Sequence, residues 1–436
     1  MAGLKKDGCA LSIQYLKKQP TFLQLRVVVP AHVVNSLYNL CAVAQSGAVQ
    51  TQGFNQGTIP VDYIQQHFRS SLLSHIQEFL LKFCVGNFVY RKIREEKIMA
   101  VGEPRLIDIF VAPNQDAYFD FEVTVFQPLA FHEWRFFPFR APKRKNYKDL
   151  DRQVESFIKE EKEHQKDVSD TRIHIGDWVH FQIALADHNN KLLFGPHYED
   201  YWYKVGDEEA DGPLRDVFLE KQVGDSFYTH SSGLQEFFSD QFNTNYHFHV
   251  HICDIVPNSY FSFDHFKKHF RIKTNKEMNQ KLIEVFSYRN DLSQRRAMVE
   301  ESLKLLLTKH KFDVPSHLVL RQQKVVLDAV HENPDYHVYR VQKDFKERVR
   351  QLAEKQTKEM ILMDQLAATE NIPVAHYDVV TYLNLMQRPR TKEFIYFDPP
   401  STKVLGQEMP LLDEEIKQIC LREKTLNHVI YHLTKA

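Results

Sequence analysis

Two helical patterns meet at a short uncharged turn, Gly53-Phe54-Asn55-Gln56-Gly57-Thr58-Ile59-Pro60. This fold-back constrains the first 126 residues more than any other stretch. Upstream, residues 22–29 are short, β-branched and closed by Pro30, which reads as a strand. Val33, Val34, Leu37, Leu40 and Cys41 then recur at helical spacing. Downstream, Tyr63, Ile64, Phe68, Leu72, Leu73, Ile76 and Phe79 to Leu81 repeat every three to four residues. Residues 107–111 and 118–125 alternate as strands, the second with one acidic face. The order strand, helix, turn, helix, strand, strand predicts a helical hairpin on a small sheet, with the turn at the end away from the sheet. Gly53 and Gly57 permit backbone angles that other residues resist, and Pro60 suits a helix start. Phe54 leaves two readings open: a connector whose ring enters the core, or a presented tip that docks on a partner.

A chain of 436 residues is too long for one core, so two to four domains are expected. The 14 glycines are few for a Gly-rich nucleotide-loop enzyme, and no Gly-x-x-x-x-Gly-Lys loop occurs. Lys plus Arg (56) nearly cancels Asp plus Glu (57), unlike a protein that grips nucleic acid over a broad face. Cys9, Cys41, Cys84, Cys253 and Cys420 are scattered without metal spacing, as thiols in a reducing compartment would be. The first twenty residues lack the apolar core of a signal peptide, and no run approaches eighteen apolar residues. A soluble, cytoplasmic protein is expected.

Residues 127–168 read as a linker. Phe126, Phe131, Trp134, Phe136, Phe137 and Phe139 crowd beside Pro128, Pro138 and Pro142, ahead of Arg140, Lys143, Arg144, Lys145 and Lys148. Aromatics beside bases suit single-stranded nucleic acid, or an extended segment packed on its neighbours with a solvated basic flank. A charged helix follows over 147–166. Residues 169–257 are β-rich, with strands from 178, after a turn at 186–191, and around 246–256. His247, His249 and His251 share a strand face, which could suit a metal, but a solvated face without metal is the expectation. Residues 258–436 are helical, with long helices over 276–310, from Leu318, over 335–369, 377–386 and 413–433.

The strand ending in Val-Pro-Ala, the turn Gly53-Phe54-x-x-Gly57-x-x-Pro60 and Gly102-Glu103-Pro104 before the strand pair resemble the ribosome-binding domain of bacterial trigger factors. The family carries Arg and Lys at the tip positions occupied here by Asn55 and Thr58. Between Arg26 and Arg69 the chain has no Lys or Arg. Basic side chains supply most sequence-independent attraction to RNA phosphate. The resemblance therefore implies ribosome docking through Gly53, Phe54, Asn55, Gln56, Gly57, Thr58 and Pro60, in weak or altered form.

The β-rich segment resembles the family's FKBP-type prolyl isomerase domain in Gly176-Asp177, Glu199-Asp200-Tyr201 with Gly206, Gly224-Asp225 and the strand around Phe248. Prolyl isomerisation needs an apolar aromatic cup that favours the twisted amide against a barrier of about 20 kcal/mol. The resemblance implies a candidate cup of Ile183, Leu193, Phe194, Leu214, Phe237 and Phe248. Ile183 replaces the family's first-strand aromatic, and Leu193 and Phe194 replace its Phe and acid. Asp211 falls near the floor, where a buried acid would be costly. Weak or absent isomerase activity is expected. Phe312-Asp313-Val314-Pro315, Glu370-Asn371-Ile372-Pro373-Val374 and Glu423-Lys424-Thr425-Leu426 resemble the breaks and last helix of the family's C-terminal part.

The expectation is an α+β multidomain chain. Its modules are an α+β ribosome-binding-like domain at 1–126, the linker at 127–168, an FKBP-like domain at 169–257, and an elongated all-α chaperone domain at 258–436. The expected function is that of an ATP-independent chaperone of trigger factor type, with no cofactor or metal. It binds nascent or unfolded polypeptides, assists folding and export, and docks at the ribosome exit tunnel, without DNA or membrane partners. Met298, Met360, Met363, Met386, Phe286, Phe345 and Tyr382 are candidate client contacts. An active peptidyl-prolyl isomerase and a ribosome-independent scaffold stand as alternatives.

Overall fold

A computed structural model describes residues 11–435 except 56, 132, 143–148, 168–170, 188, 196, 239–243, 245, 290–291, 332 and 405. Gln56 and the basic run from Lys143 to Lys148 thus lie outside the described residues. In chain order, β1 (Ser12–Lys18) and β2 (Phe22–Val29) precede α1 (Ala31–Ala48), α2 (Val61–His67) and α3 (Arg69–Leu80). A π-helical turn at Leu81–Val85 leads into α4 (Gly86–Glu95), then β3 (Arg105–Phe110), β4 (Ala117–Thr124) and α5 (Leu150–Asp167). The β-rich stretch holds β5 (Trp178–Ala186), β6 (Glu199–Lys204), α6 (Gly212–Phe218), β7 (Ser226–Thr229), α7 (Ser232–Phe238) and β8 (His247–Val256). Helices follow: α8 (Phe263–His269), α9 (Asn275–Phe286), α10 (Gln294–Lys309), α11 (Ser316–His331), α12 (Tyr336–Tyr339), α13 (Phe345–Thr369), α14 (His376–Met386) and α15 (Pro389–Lys392). A two-residue strand, β9 (Leu411–Leu412), and α16 (Asp413–Leu433) close the chain. Among the described residues, no helix is long and apolar enough to cross a membrane.

The α+β class holds, with helices on a small sheet at the front, a β-rich middle and a helical remainder. Contacts divide the chain into two compact units that cut across sequence order. One comprises 1–126, 162–261 and 399–416; the other 127–161, 262–398 and 417–436.

In the first unit, an antiparallel sheet of order β1-β2-β4-β3 forms as the alternation dictates. Leu23, Leu25, Val27 and Val29 of β2 are buried, and Leu25 and Val27 lie opposite Phe121 and Phe119 of β4. A second antiparallel sheet has the order β9-β6-β5-β8-β7. Its buried Phe181, Ile183, Tyr201, Tyr203, Phe248 and Val250 join one continuous core with Ile76, Phe79 and Phe83 of the helical hairpin. His75 of α3 and Tyr246 hydrogen-bond at 2.7 Å between His Nε2 and the phenol oxygen, and the Cys41 sulfur lies 3.2 Å from the same oxygen. Burial pushes His75 down to about 4 and the Cys41 thiol up to about 12.

One local expectation is corrected here. Strand does not return at Leu192, which makes an isolated bridge to Ala186; the next strand begins at Glu199. Residues 399–416, although they lie within the C-terminal half of the sequence, belong to the first unit. Leu411 and Leu412 pair with Trp202 and Tyr201, Trp202 Nε1 donates to Asp413 at 3.0 Å, and Glu408 N donates to Asp211 at 2.7 Å.

In the second unit, Val299, Leu303, Leu362, Leu366, Leu426 and Val429 form a core that also holds Trp134. Trp134 Nε1 donates to Glu370 at 3.0 Å, and Leu129 N to Gln365 at 3.1 Å. The aromatic linker is therefore a packed extended segment. The helix expected over 276–310 is broken, because Ser293 restarts it by accepting from Arg296 N at 3.1 Å. That expected over 335–369 is broken after Tyr339 and resumes at Phe345. The fully buried Arg295 lies 3.3 Å from the carboxylate of Glu423 and donates to Asn427 at 2.7 Å.

Two stability predictions follow from these buried groups. The unfolded chain binds a proton at His75 near pH 6.5 and the folded chain only near 4. Stability from this site is therefore present above 6.5 and falls by about 3 kcal/mol as pH drops through that window. Urea unfolding at pH 7 and pH 4.5 measures this, and His75→Phe, which keeps the ring but takes no proton, flattens the dependence. In the other unit, Glu423→Ala strands the Arg295 charge and costs about 3 to 5 kcal/mol, whereas Arg295→Met with Glu423→Leu costs less. Urea midpoints of the two variants distinguish these outcomes.

Candidate functional site

Three places hold the residues singled out in the sequence. The first is the turn between α1 and α2. Gly53 and Gly57 both adopt the left-handed region, at φ of 91° and 82°, which requires glycine. Thr58 N and Oγ1 donate to Asn55 O at 3.1 and 2.8 Å, closing the tip on itself. Pro60 caps α2 rather than opening it. Ile59, not Phe54, enters the core. Phe54 stays 36% exposed with its ring 5.0 Å from Tyr63. The turn presents an aromatic edge on a glycine frame.

The second place is the expected cup. The structure brings Ile183 of β5, Leu214 of α6, Phe248 of β8, Phe194, Leu193 and Phe237 into one apolar cluster. The cluster is a filled core rather than an open cup. Ile183, Phe194, Leu214 and Phe248 are buried, and Leu193 and Phe237 are half-buried. Phe83 sits 5.6 Å from Phe194 and 5.1 Å from Phe238, and Phe79 lies 4.5 Å from Tyr246. Gly233 lets α7 close on α6, since a Cβ there would stand 2.7 Å from Leu214 N. Asp211 is buried without the expected cost, because its carboxylate accepts from Glu208 N and Glu408 N at 3.1 and 2.7 Å. A recess of about 660 Å³ nearby is lined by Glu208, Glu209, Ala210, Lys403 and Gly406, and it holds none of the six cup residues.

The β8 histidines are occupied by neighbours. His249 Nδ1 lies 3.0 Å from Tyr198 OH, His251 Nδ1 lies 2.7 Å from Ser226 Oγ, and His247 Nδ1 lies 3.2 Å from Asp187 O. Among the described residues, no three His, Cys, Asp or Glu side chains converge in a metal-binding group.

The third place is the helix pair α11 and α13. Among the described residues, Val326, Val349 and Ala353 are buried in its core, with Val319, Leu327, Val330 and Phe345 packed around them. Apolar residues remain outside it: Leu320 and Val325 on α11, Val338 and Val341 in the connection, and Leu352 on α13. Val341 is 74% exposed. The methionine candidates are placed differently. Met298, Met363 and Tyr382 are buried core, and Met360, Met386, Phe286 and Phe345 are half-buried. The signal for the exposed set was present in α11, where Leu318-Val319-Leu320 and Val325-Val326-Leu327 put apolar side chains on more faces than one partner covers.

The family described as bacterial trigger factor protein matches residues 11–160, and the one described as its C-terminus matches residues 274–430. The chain is 21% identical over 346 residues to a trigger factor of Geotalea daltonii, covering 75% of this chain and 77% of that protein. A trigger factor of Geotalea uraniireducens is 20% identical over the same length and coverage. A solved trigger factor chaperone overlaps 97% of this chain and all of its own at 13% identity and a TM-score of 0.39, too loose a likeness to transfer any arrangement. Together the two family matches span both ends of the chain, and the chain belongs to the bacterial trigger factor family as a divergent member.

Proposed function

We propose that this trigger factor acts as an ATP-independent chaperone that holds unfolded or nascent polypeptides on the α11–α13 helix pair. The observation that carries this is the set of exposed apolar side chains there, Leu320, Val325, Val338, Val341 and Leu352. A pair of helices with so small a core keeps aliphatic surface in water that a folded monomer would otherwise bury. Lys324, Lys343, Lys346, Arg348 and Arg350 alternate with these positions. Apolar contacts interrupted by charge bind many sequences weakly and keep the chaperone itself apart from its own copies. Such binding depends on area, not on a cofactor.

The tip at Gly53–Pro60 is proposed as a second contact, with the ribosome. Its glycine frame and exposed Phe54 support docking on protein surface. Asn55 and Thr58 leave it without the charges that attract RNA phosphate, so attachment is weak.

At stoichiometric amounts the protein suppresses aggregation of an unfolded client, read by light scattering. Replacing Leu320, Val325 and Val341 together by Ser weakens suppression several-fold while unfolding midpoints stay close to those of the parent, because exposed substitutions change stability by about 0.5 kcal/mol or less. Undiminished suppression by that variant would move the client site elsewhere. In ribosome co-sedimentation, Thr58→Lys strengthens binding and steepens its salt dependence by about one phosphate contact, and Phe54→Ala weakens it.

A further inference from the structure

We infer that the aromatic cup of the β-rich module is a permanent socket for the chain's own helix α3 and the π-turn after it, so that the intact protein offers no open site for a client proline. Phe79 and Phe83 stack on each other at 5.1 Å and enter a ring of aromatics contributed by the module: Phe194, Phe238 and Tyr246. Polar groups lock the same contact. The hydroxyl of the fully buried Tyr201 shares its one proton between Lys82 O and Phe83 O, both at 3.3 Å, and Asn87 Nδ2 donates to that hydroxyl at 3.4 Å. These two carbonyls belong to the π-helical turn Leu81–Val85. A π-turn displaces the regular helical ladder, which gives a hydroxyl room to reach main-chain carbonyls. His75 meets Tyr246 at 2.7 Å, and Arg91 reaches the buried Glu199 at 3.4 Å.

Opening this contact would expose five large aromatic rings, each of about 150 to 250 Å². It would also leave the Tyr201 and Tyr246 hydroxyls and the Glu199 carboxylate without these protein partners. Both losses are those of unfolding the unit. The helical hairpin and the β-rich module therefore open together or not at all. Of the six cup residues, Phe194 meets Phe83 directly, and Ile183, Leu214 and Phe248 are buried in the same core. This inference does not rest on client binding by α11 and α13.

Native-state hydrogen exchange of the full chain tests it. Amides of residues 79–90 are expected to exchange only through the same opening that exposes β5 and β8, with the same free energy and the same denaturant dependence. In parallel, the intact protein is expected to leave the slow proline-limited refolding phase of a client within two-fold of its uncatalysed rate. The exchange measurement separates a sealed cup from one that is open but inactive. Exchange of 79–90 through an opening cheaper than that of β5 and β8 overturns the inference. So does a five-fold or greater acceleration of refolding by the intact chain.

Discussion

The hydroxyl of Tyr201 against the carbonyls of the π-turn is the contact on which the first unit depends. Regular helix would keep those carbonyls bonded to amides four residues on. The local π geometry makes them available to Tyr201, and the same turn aims Phe83 at Phe194 and Phe238. Helix, turn and β-rich module share one hydrophobic core as a result. The strap at 399–416 adds to this unit from far along the chain, through one short strand pairing of two residue pairs and the bonds of Asp211 and Trp202. A module that in sequence order stands between two others is thus held by segments from before and after it.

The second unit distributes its packing unevenly. Around α10, the end of α13 and α16, leucines, valines and the anchored Trp134 make a dense core, with Arg295 and Glu423 enclosed beside it. Among the described residues, the core that α11 shares with the first half of α13 holds three buried apolar residues and leaves others in water. Dense packing costs adaptability, and exposed aliphatic surface costs solubility. With clients held on the helix pair as proposed, rigidity and promiscuity fall to different parts of one unit, which is the division a folding chaperone needs.

Much of this was legible beforehand. The strand–helix–turn–helix–strand–strand order from β2 onward, the glycine frame at 53 and 57, the charged helix expected over 147–166 and found at 150–167, and the breaks at Pro315 and Pro373 were written in period, turn chemistry and capping residues, whereas β1 at 12–18 was missed. Other features were not. Ser293 as a cap inside the span expected as one helix, the π-turn at Leu81 and the strand beginning at Glu199 depend on which partner claims each hydrogen bond, and local pattern does not contain that information. The client candidates were misplaced for a related reason. Methionine suits adaptable binding, yet Met298 and Met363 sit in the core, and burial is a property of neighbours rather than of residue type.

By itself the sequence determined most of the elements, their order and the family, because hydrophobic period, glycine and proline act within a few residues of where they stand. It also determined that the tip at Asn55 and Thr58 lacks the family's charges. Only the tertiary structure decided that Ile183, Phe194, Leu214 and Phe248 form a closed core, that residues 399–416 serve the β-rich module, and that Leu320 and Val341 remain in water. Each of these depends on which surfaces meet across a hundred or more residues of chain, and such meetings are settled by the burial of whole faces at once.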